Sequence, residues 1–253
     1  MDPSTALVPT PSDPPEAPGA GLRILSRLAA LGFMVNVVLC VVVAAGMAPL
    51  NTEWIPAWSG LALINLVAVY AHWTGRDWAR GYGLGLALWA LICTTQSTFV
   101  LGLQPLITAG MGGMLLLVAV QLLDRREGGP TGRHLLSMVL ASTAVPCAVI
   151  YGLAPQHSWQ VTAGVLGGAL VVVSGAWGVC RGRTWGLLAG LAGAILISVT
   201  IAQAQHAGWL LHPHPLLPDS NPIALLGLGI AGAVLSFAST LPFLVPIIRF
   251  LRR

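Results

Sequence analysis

The sequence predicts an all-α integral membrane protein, a polytopic bundle of about eight transmembrane helices. Apolar residues make up 56% of the chain and charged residues only 8%, whereas a soluble domain carries roughly 25% charged residues. The mean hydropathy is +0.82. Long apolar segments of the sequence approach the length of about 20 residues that a helix needs to cross a bilayer. These observations exclude a soluble fold.

The first 22 residues differ from the rest of the chain. Six prolines among them exclude a helix, and Asp2, Asp13 and Glu16 make the segment acidic. A secretory signal begins with positive charge, so this segment is not one. We expect residues 1–22 to be a disordered, proline-rich cytoplasmic tail, and residues 23–253 to form the helical bundle.

Eight apolar segments follow the tail, separated by short polar or glycine-rich loops. In chain order they are residues 28–48, 57–73, 82–103, 105–123, 135–153, 161–180, 185–205 and 223–247. β-Barrel strands would be shorter and would alternate polar with apolar residues, a pattern that these segments do not follow. Each segment is therefore predicted to be a membrane-spanning helix.

The positive charges predict the orientation of these helices. The chain has no lysine, and its twelve positive charges are arginines 23, 27, 76, 80, 125, 126, 133, 181, 183, 249, 252 and 253. They fall in alternate loops only, so the positive-inside rule predicts that both termini lie in the cytoplasm. We expect the protein to be integral to the plasma (inner) membrane. We expect the arginines to contact anionic headgroups. Aromatic residues do not interleave with them, which argues against a nucleic-acid partner.

The two halves of the chain resemble each other in short motifs. Residues 46–49 read Gly-Met-Ala-Pro and residues 152–155 read Gly-Leu-Ala-Pro, while residues 80–84 and 183–187 share an arginine and a later Gly-Leu. Two parallel four-helix repeats, over residues 23–124 and 125–253, would explain these matches. Chance similarity between helices rich in glycine, alanine and leucine is the alternative.

Small residues recur four positions apart within several spans. The pairs are Gly81 with Gly85 and Gly164 with Gly168, and a third series comprises Gly186, Gly190 and Ala194. Such spacing lets helix backbones approach closely inside a membrane. We expect contacts within one bundle, with a homodimer or contacts to other membrane subunits as the alternative.

Uncharged polar residues in the third and seventh spans form the candidate substrate path. The residues are Thr94, Thr95, Gln96, Thr98, Thr200 and Gln203. Five consecutive polar residues, 94–98, cannot all face one way on a period of about 3.6 residues. Together with the seventh span they would line an uncharged cavity that opens outward. The alternative is hydrogen bonding between helices, without a cavity.

Histidines provide the candidate metal and haem ligands. His212 and His214 lie in a proline-rich outer loop with His206 at its start, and imidazole is a ligand for zinc or copper. A stiff interfacial loop explains the same residues. His72 and His134, at cytoplasmic helix ends, are the pair that would hold a haem, although their position at the edge of a loop is the better explanation. We therefore predict no cofactor and keep zinc, copper or haem as alternatives.

The polar residues that are missing from the spans restrict the function. No Asp, Glu, Lys or Arg lies in the middle of a predicted span, which disfavours an ion-coupled pump. Motifs of the common intramembrane hydrolases are absent as well. The sequence predicts a non-enzymatic transporter or permease for a small uncharged or weakly polar solute. The alternatives are a non-catalytic subunit or assembly factor of a larger membrane complex, and a metal- or haem-binding redox protein.

Overall fold

A computed structural model provides the three-dimensional structure of the chain. It describes the backbone of residues 20–47, 52, 55–101, 115–120, 122, 132–154, 157–206 and 222–251. Side chains are described for residues 21, 23–46, 52, 55–92, 115–120, 122, 132–154, 157–206 and 225–244. Within these ranges the secondary structure is helical, with turns between helices and no strand.

The helices follow the predicted spans closely. They are α1 (Ala20–Met47), α2 (Ile55–Trp73), α3 (Ala79–Leu101), α4 (residues 115–120), α5 (Gly132–Gly152), α6 (Trp159–Cys180), α7 (Trp185–His206) and α8 (Pro222–Leu251). Six of them, all except α3 and α4, contain a described stretch long and apolar enough to cross a membrane. The predicted fourth span, 105–123, lies mostly outside the described residues. The described helices indicate a membrane protein, as the composition predicts.

Helix α5 lies at the centre of the bundle. It packs against α2, α3, α6 and α8, and 78% of its apolar stretch is buried, against 28–39% for the other five long helices. Its buried face includes many small side chains, among them Ser137, Ala141, Ser142, Ala144 and Ala148. Small side chains let neighbouring helices approach from several directions, which explains the central position.

The described arginines lie at one end of the bundle, called the arginine end below. The Arg27 guanidinium is 5.8 Å from the centre of the Trp73 ring, which joins the start of α1 to the end of α2. Arg80 donates a hydrogen bond to the carbonyl of Leu122 (3.4 Å). Near the start of α5, His134 stacks obliquely on Phe243 of α8, with ring centres 5.1 Å apart. The arginine-rich helix ends therefore meet, as alternate placement in the loops predicts.

The predicted close approach at glycine pairs is confirmed inside the bundle. A methyl group on Gly175 of α6 would lie 2.5 Å from the backbone nitrogen of Gly190 in α7, and one on Gly168 would lie 3.0 Å from the Gly193 carbonyl. Gly81 of α3 similarly faces Met138 of α5. These glycines pack within one chain, and their spacing therefore does not require a homodimer.

Two of the turns at the arginine end are built alike. The turn after α2 reads Gly75-Arg76-Asp77-Trp78 and the turn after α6 reads Gly182-Arg183-Thr184-Trp185. Both glycines have left-handed backbone angles, with φ of 64° and 69°, and the next amide donates to a carbonyl five residues earlier in each turn. This is the Schellman ending of a helix, which glycine favours. This likeness matches Arg183 with Arg76, whereas the predicted repeat matches it with Arg80, so the repeat stays a prediction.

Candidate functional site

A groove runs along the bundle between α2 and α6, with α5 as its floor. Its volume is about 720 Å³, within the roughly 300–1,000 Å³ of typical ligand pockets. The α2 wall comprises Gly60, Leu63, Ile64, Val67 and Tyr70; the α6 wall comprises Leu166, Ala169, Leu170, Val173, Ser174 and Trp177. The floor comprises Met138, Val145, Val149 and Leu153 of α5. Apart from one end, the groove is thus lined almost entirely by apolar side chains.

The length and openness of the groove follow from its helices. The wall from Gly60 to Tyr70 runs for about 15 Å, at a rise of about 1.5 Å per residue. The rim residues Leu63 and Leu170 are 61% and 70% exposed. Because both lie in the middle of apolar helices, the groove opens sideways toward the surroundings of the bundle and not only at its ends.

One end of the groove lies at the arginine end of the bundle, beside Arg76, Trp78, Tyr82 and Arg181. Arg76 donates a hydrogen bond to the Tyr70 hydroxyl (3.2 Å), and its guanidinium carbon is 5.9 Å from the centre of that ring. The hydrogen bond to Tyr70, with the charge of Asp77 as a smaller cause, raises the pKa of Arg76. Arg76 is therefore a permanent positive charge that Tyr70 holds beside the groove.

Arg181 occupies the opposite side of the same end. Its guanidinium carbon lies 4.3 Å from the centre of the Trp177 ring, a cation–π distance. Stacking occupies the flat face of a guanidinium group, while hydrogen bonds are donated along its edges. Both groove arginines therefore contact an aromatic ring and keep donor groups for a ligand.

The structure describes only part of the predicted substrate path. Thr94, Thr95, Gln96 and Thr98 belong to α3, but their side chains lie outside the described residues. Thr200 of α7 is buried, donates to the Leu196 carbonyl (2.7 Å) and faces Gly164 of α6. Gln203 is exposed.

The helices that carry these residues have different neighbours. In the described part of the chain, α3 packs against α2 and α5, whereas α7 packs against α6 and α8. A path shared by the two sets stays a prediction.

The predicted metal and haem ligands are described only in part, and cofactor binding stays a prediction. His206 is exposed as the last residue of α7, while His212 and His214 lie outside the described residues. The described residues contain no group of three or more His, Cys, Asp or Glu side chains suited to a metal ion. His72, expected at a loop edge, is 1% exposed and stacks on Phe33 with ring centres 5.7 Å apart. His134 contacts Phe243 instead.

A second polar cluster lies at the opposite end of the bundle, in the turn between α5 and α6. The ring of His157 lies 4.5 Å from that of Tyr151, centre to centre. Among the described residues, no side chain or backbone group hydrogen-bonds to the Tyr151 hydroxyl, the two His157 ring nitrogens or the Ser158 hydroxyl. Burial lowers the pKa of His157 and so favours its neutral form.

Acidic pH should destabilise this turn. Because the pKa of His157 is lower in the folded protein than in the unfolded chain, the unfolded chain binds the proton more readily. Above the ordinary histidine pKa of about 6.5, the free energy of unfolding does not depend on this residue. Below that pH, the free energy of unfolding falls as the pH drops. We expect the melting temperature in detergent to fall between about pH 7.5 and about pH 5.5, and to fall less in His157→Gln. His206→Gln, which removes an exposed histidine, is the control. If the melting temperature of His157→Gln falls as much as that of the unmodified protein, the assignment of this pH dependence to His157 is contradicted.

The groove was not predicted from the sequence, although part of its signal is visible there. An aromatic residue precedes each groove arginine near a helix end: Tyr70 before Arg76, and Trp177 one turn before Arg181. Aromatic residues at such positions are also typical of the membrane interface. Only the contact of α2 and α6 with the same floor helix distinguishes a groove from an interfacial belt.

Comparison of the chain with protein-family models, with curated proteins and with solved structures gives no match.

Proposed function

We propose that this protein is a non-enzymatic transporter for an amphiphile, whose hydrocarbon tail occupies the groove between α2 and α6. The proposal rests on one observation: the groove is apolar along its walls and floor and carries two arginines at one end. A small polar solute would lose its hydrogen bonds to water along such walls without replacing them. A hydrocarbon chain has no such cost. The substrate is therefore more apolar than the weakly polar solute expected from the sequence.

Exposure of the rim supports entry of the substrate from the bilayer. Leu63 and Leu170 face outward on apolar helices, so a lipid-like molecule reaches the groove sideways without crossing water. In line with the positive-inside rule, we propose that the arginine end faces the cytoplasm. Because no predicted span has an Asp, Glu, Lys or Arg in its middle, we propose movement down a gradient without ion coupling.

Reconstitution into vesicles tests this function. A fluorescent single-chain amphiphile is placed in one leaflet, and its arrival in the other leaflet is followed by chemical quenching. We expect transfer in vesicles that contain the protein to be faster than in empty vesicles. Val67→Trp, which adds bulk to the α2 wall of the groove, should slow this transfer toward the rate of empty vesicles.

The matched control is Val199→Trp. Val199 is exposed on α7 and is not among the groove residues, so the same change in volume should leave transfer intact. Equal slowing by both substitutions would mean that bulk anywhere on the bundle disturbs the protein. Transfer no faster than in empty vesicles would contradict the proposed function.

A second candidate is a non-catalytic subunit of a membrane complex. In that case helix α1 would provide the contact surface, because one broad face of α1 is apolar and exposed. The residues are Leu28, Leu31, Val35, Val38, Leu39 and Val42. Native mass spectrometry of the protein extracted from its own membrane separates the candidates. A mass near 26.3 kDa favours the transporter, whereas added mass from other chains favours the complex.

A further inference from the structure

We propose that Arg76 and Arg181 together form a headgroup site at the end of the groove, and that its ligand is a phosphate-bearing lipid of the bilayer. This inference rests on the proposed function, since it names the class of amphiphile that the groove accepts. The two arginines come from different turns, one after α2 and one after α6, and both line the same groove. A ligand that contacts both would bridge the groove at its charged end.

The arginines are held in place before a ligand arrives. Left-handed Gly75 and Gly182 close the ends of α2 and α6 immediately beside them. Tyr70 holds Arg76 by a hydrogen bond, and Trp177 lies against Arg181. Less side-chain freedom therefore remains to be lost on binding, which favours affinity.

The chemistry of the pair favours phosphate over carboxylate. Arginine presents a planar fork of donors, and one fork engages both oxygens of a carboxylate. Two forks from opposite walls would have to share the two oxygens of a carboxylate, whereas a lipid phosphate monoester offers three terminal oxygens and a charge of about −1.5 to −2, which matches the two arginines. Asp77, the acidic neighbour of Arg76, does not line the groove, so the charged side chains that line this end are both arginines.

The tail would continue from this site onto apolar surface. Val67, Leu170 and Val173 line the groove further from the arginines. A free phosphate ion would use the arginines and leave these walls uncovered, and a neutral lipid would use the walls and leave the arginines unpaired. A phospholipid uses both parts, which is why we commit to it.

Binding to the purified full-length protein in detergent tests the site. The probes are two single-chain amphiphiles with the same tail, one with a phosphate headgroup and one with a neutral glycerol headgroup, and inorganic phosphate alone. We expect the phosphate amphiphile to bind at least about tenfold more tightly than the neutral one. Arg76→Gln and Arg181→Gln should each reduce this preference, and the double variant should abolish it without weakening the neutral amphiphile.

Arg183→Gln is the matched control. Arg183 follows Gly182 as Arg76 follows Gly75, but it does not line the groove; its loss should leave the preference unchanged. Equal binding of both amphiphiles by the unmodified protein would overturn the inference, as would a preference that survives the double variant. Inorganic phosphate that competes as strongly as the amphiphile would also overturn it, because the tail would then contribute nothing.

Other results separate the inference from the proposed function. If Val67→Trp leaves tight binding of the phosphate amphiphile unchanged, the headgroup binds at the surface, and the role of the groove is overturned. Failure of every amphiphile to bind would overturn the proposed function and the inference together. Binding of the phosphate amphiphile at the arginines without transfer between leaflets would uphold the site and contradict transport alone. Unchanged melting temperatures of the arginine variants would exclude misfolding as the cause of a lost preference for the phosphate amphiphile.

Discussion

Tyr151→Ala should destabilise the bundle by about 3–5 kcal/mol, the usual cost of removing a large buried aromatic side chain. Tyr151 is 0% exposed near the end of the central helix α5. Its ring lies against Gly229 of α8, where a methyl group on the glycine would come within 2.9 Å of the ring carbons. No neighbouring helix can fill the space without moving, so the cavity should persist.

Tyr151→Phe serves as the matched variant and makes the test specific. It keeps the ring but removes a buried hydroxyl that has no hydrogen-bond partner among the described residues. Leaving such a group unpaired costs about 1–3 kcal/mol, so stability should stay the same or rise. Thermal unfolding in detergent measures both variants. A clear loss of stability in Tyr151→Phe would show that the hydroxyl is hydrogen-bonded, and near-normal stability of Tyr151→Ala would contradict the central position of the ring.

Gly175→Ala should lower stability by about 1–3 kcal/mol or more, the usual cost of overpacking. The added methyl group would lie 2.5 Å from the Gly190 nitrogen, 2.7 Å from the Gly186 oxygen and 2.8 Å from the Gly190 Cα. All three atoms belong to the backbone of α7 and cannot rotate away as a side chain would. Helices α6 and α7 must therefore separate, and they lose contact along their shared face.

Gly167→Ala in the same helix provides the control. A methyl group on Gly167 would meet no atom within 4 Å, and alanine is the better helix former by about 1 kcal/mol. The Gly167 variant should be as stable as the unmodified protein or more so. Equal melting temperatures of the two variants, measured side by side in detergent, would contradict the close α6–α7 contact.

Helix burial shows where prediction from the sequence ends. The stretch Arg23–Gly46 of α1 has the highest hydropathy, 2.6, yet only 28% of it is buried. The stretch of α5 has a hydropathy of 1.8, the same as that of α6, and is 78% buried against 39%. Lipid tails and a protein interior are equally apolar, so hydropathy does not distinguish a helix that faces lipid from one that faces other helices.

Individual residues show the same limit. His72 lies at the helix end predicted for it, but the sequence does not reveal that it stacks on Phe33 of α1 and is buried. Thr200 was placed on the predicted path, but its hydroxyl bonds to its own helix and its side chain faces Gly164. The groove residues lie far apart in the chain, and no local pattern connects Val67 with Val173.

The sequence by itself predicted the membrane class, most of the spans, the single arginine end and several of the glycine positions where helices meet. These features depend on local properties of the chain, namely length, hydropathy, charge and spacing, and the bilayer acts on these properties directly. Only the tertiary structure decided that α5 lies in the centre, and that α2 and α6 flank a groove that ends in two arginines. In a bilayer, the choice of neighbours depends on the fit of side chains between helices and not on their hydropathy, and that fit exists only in three dimensions.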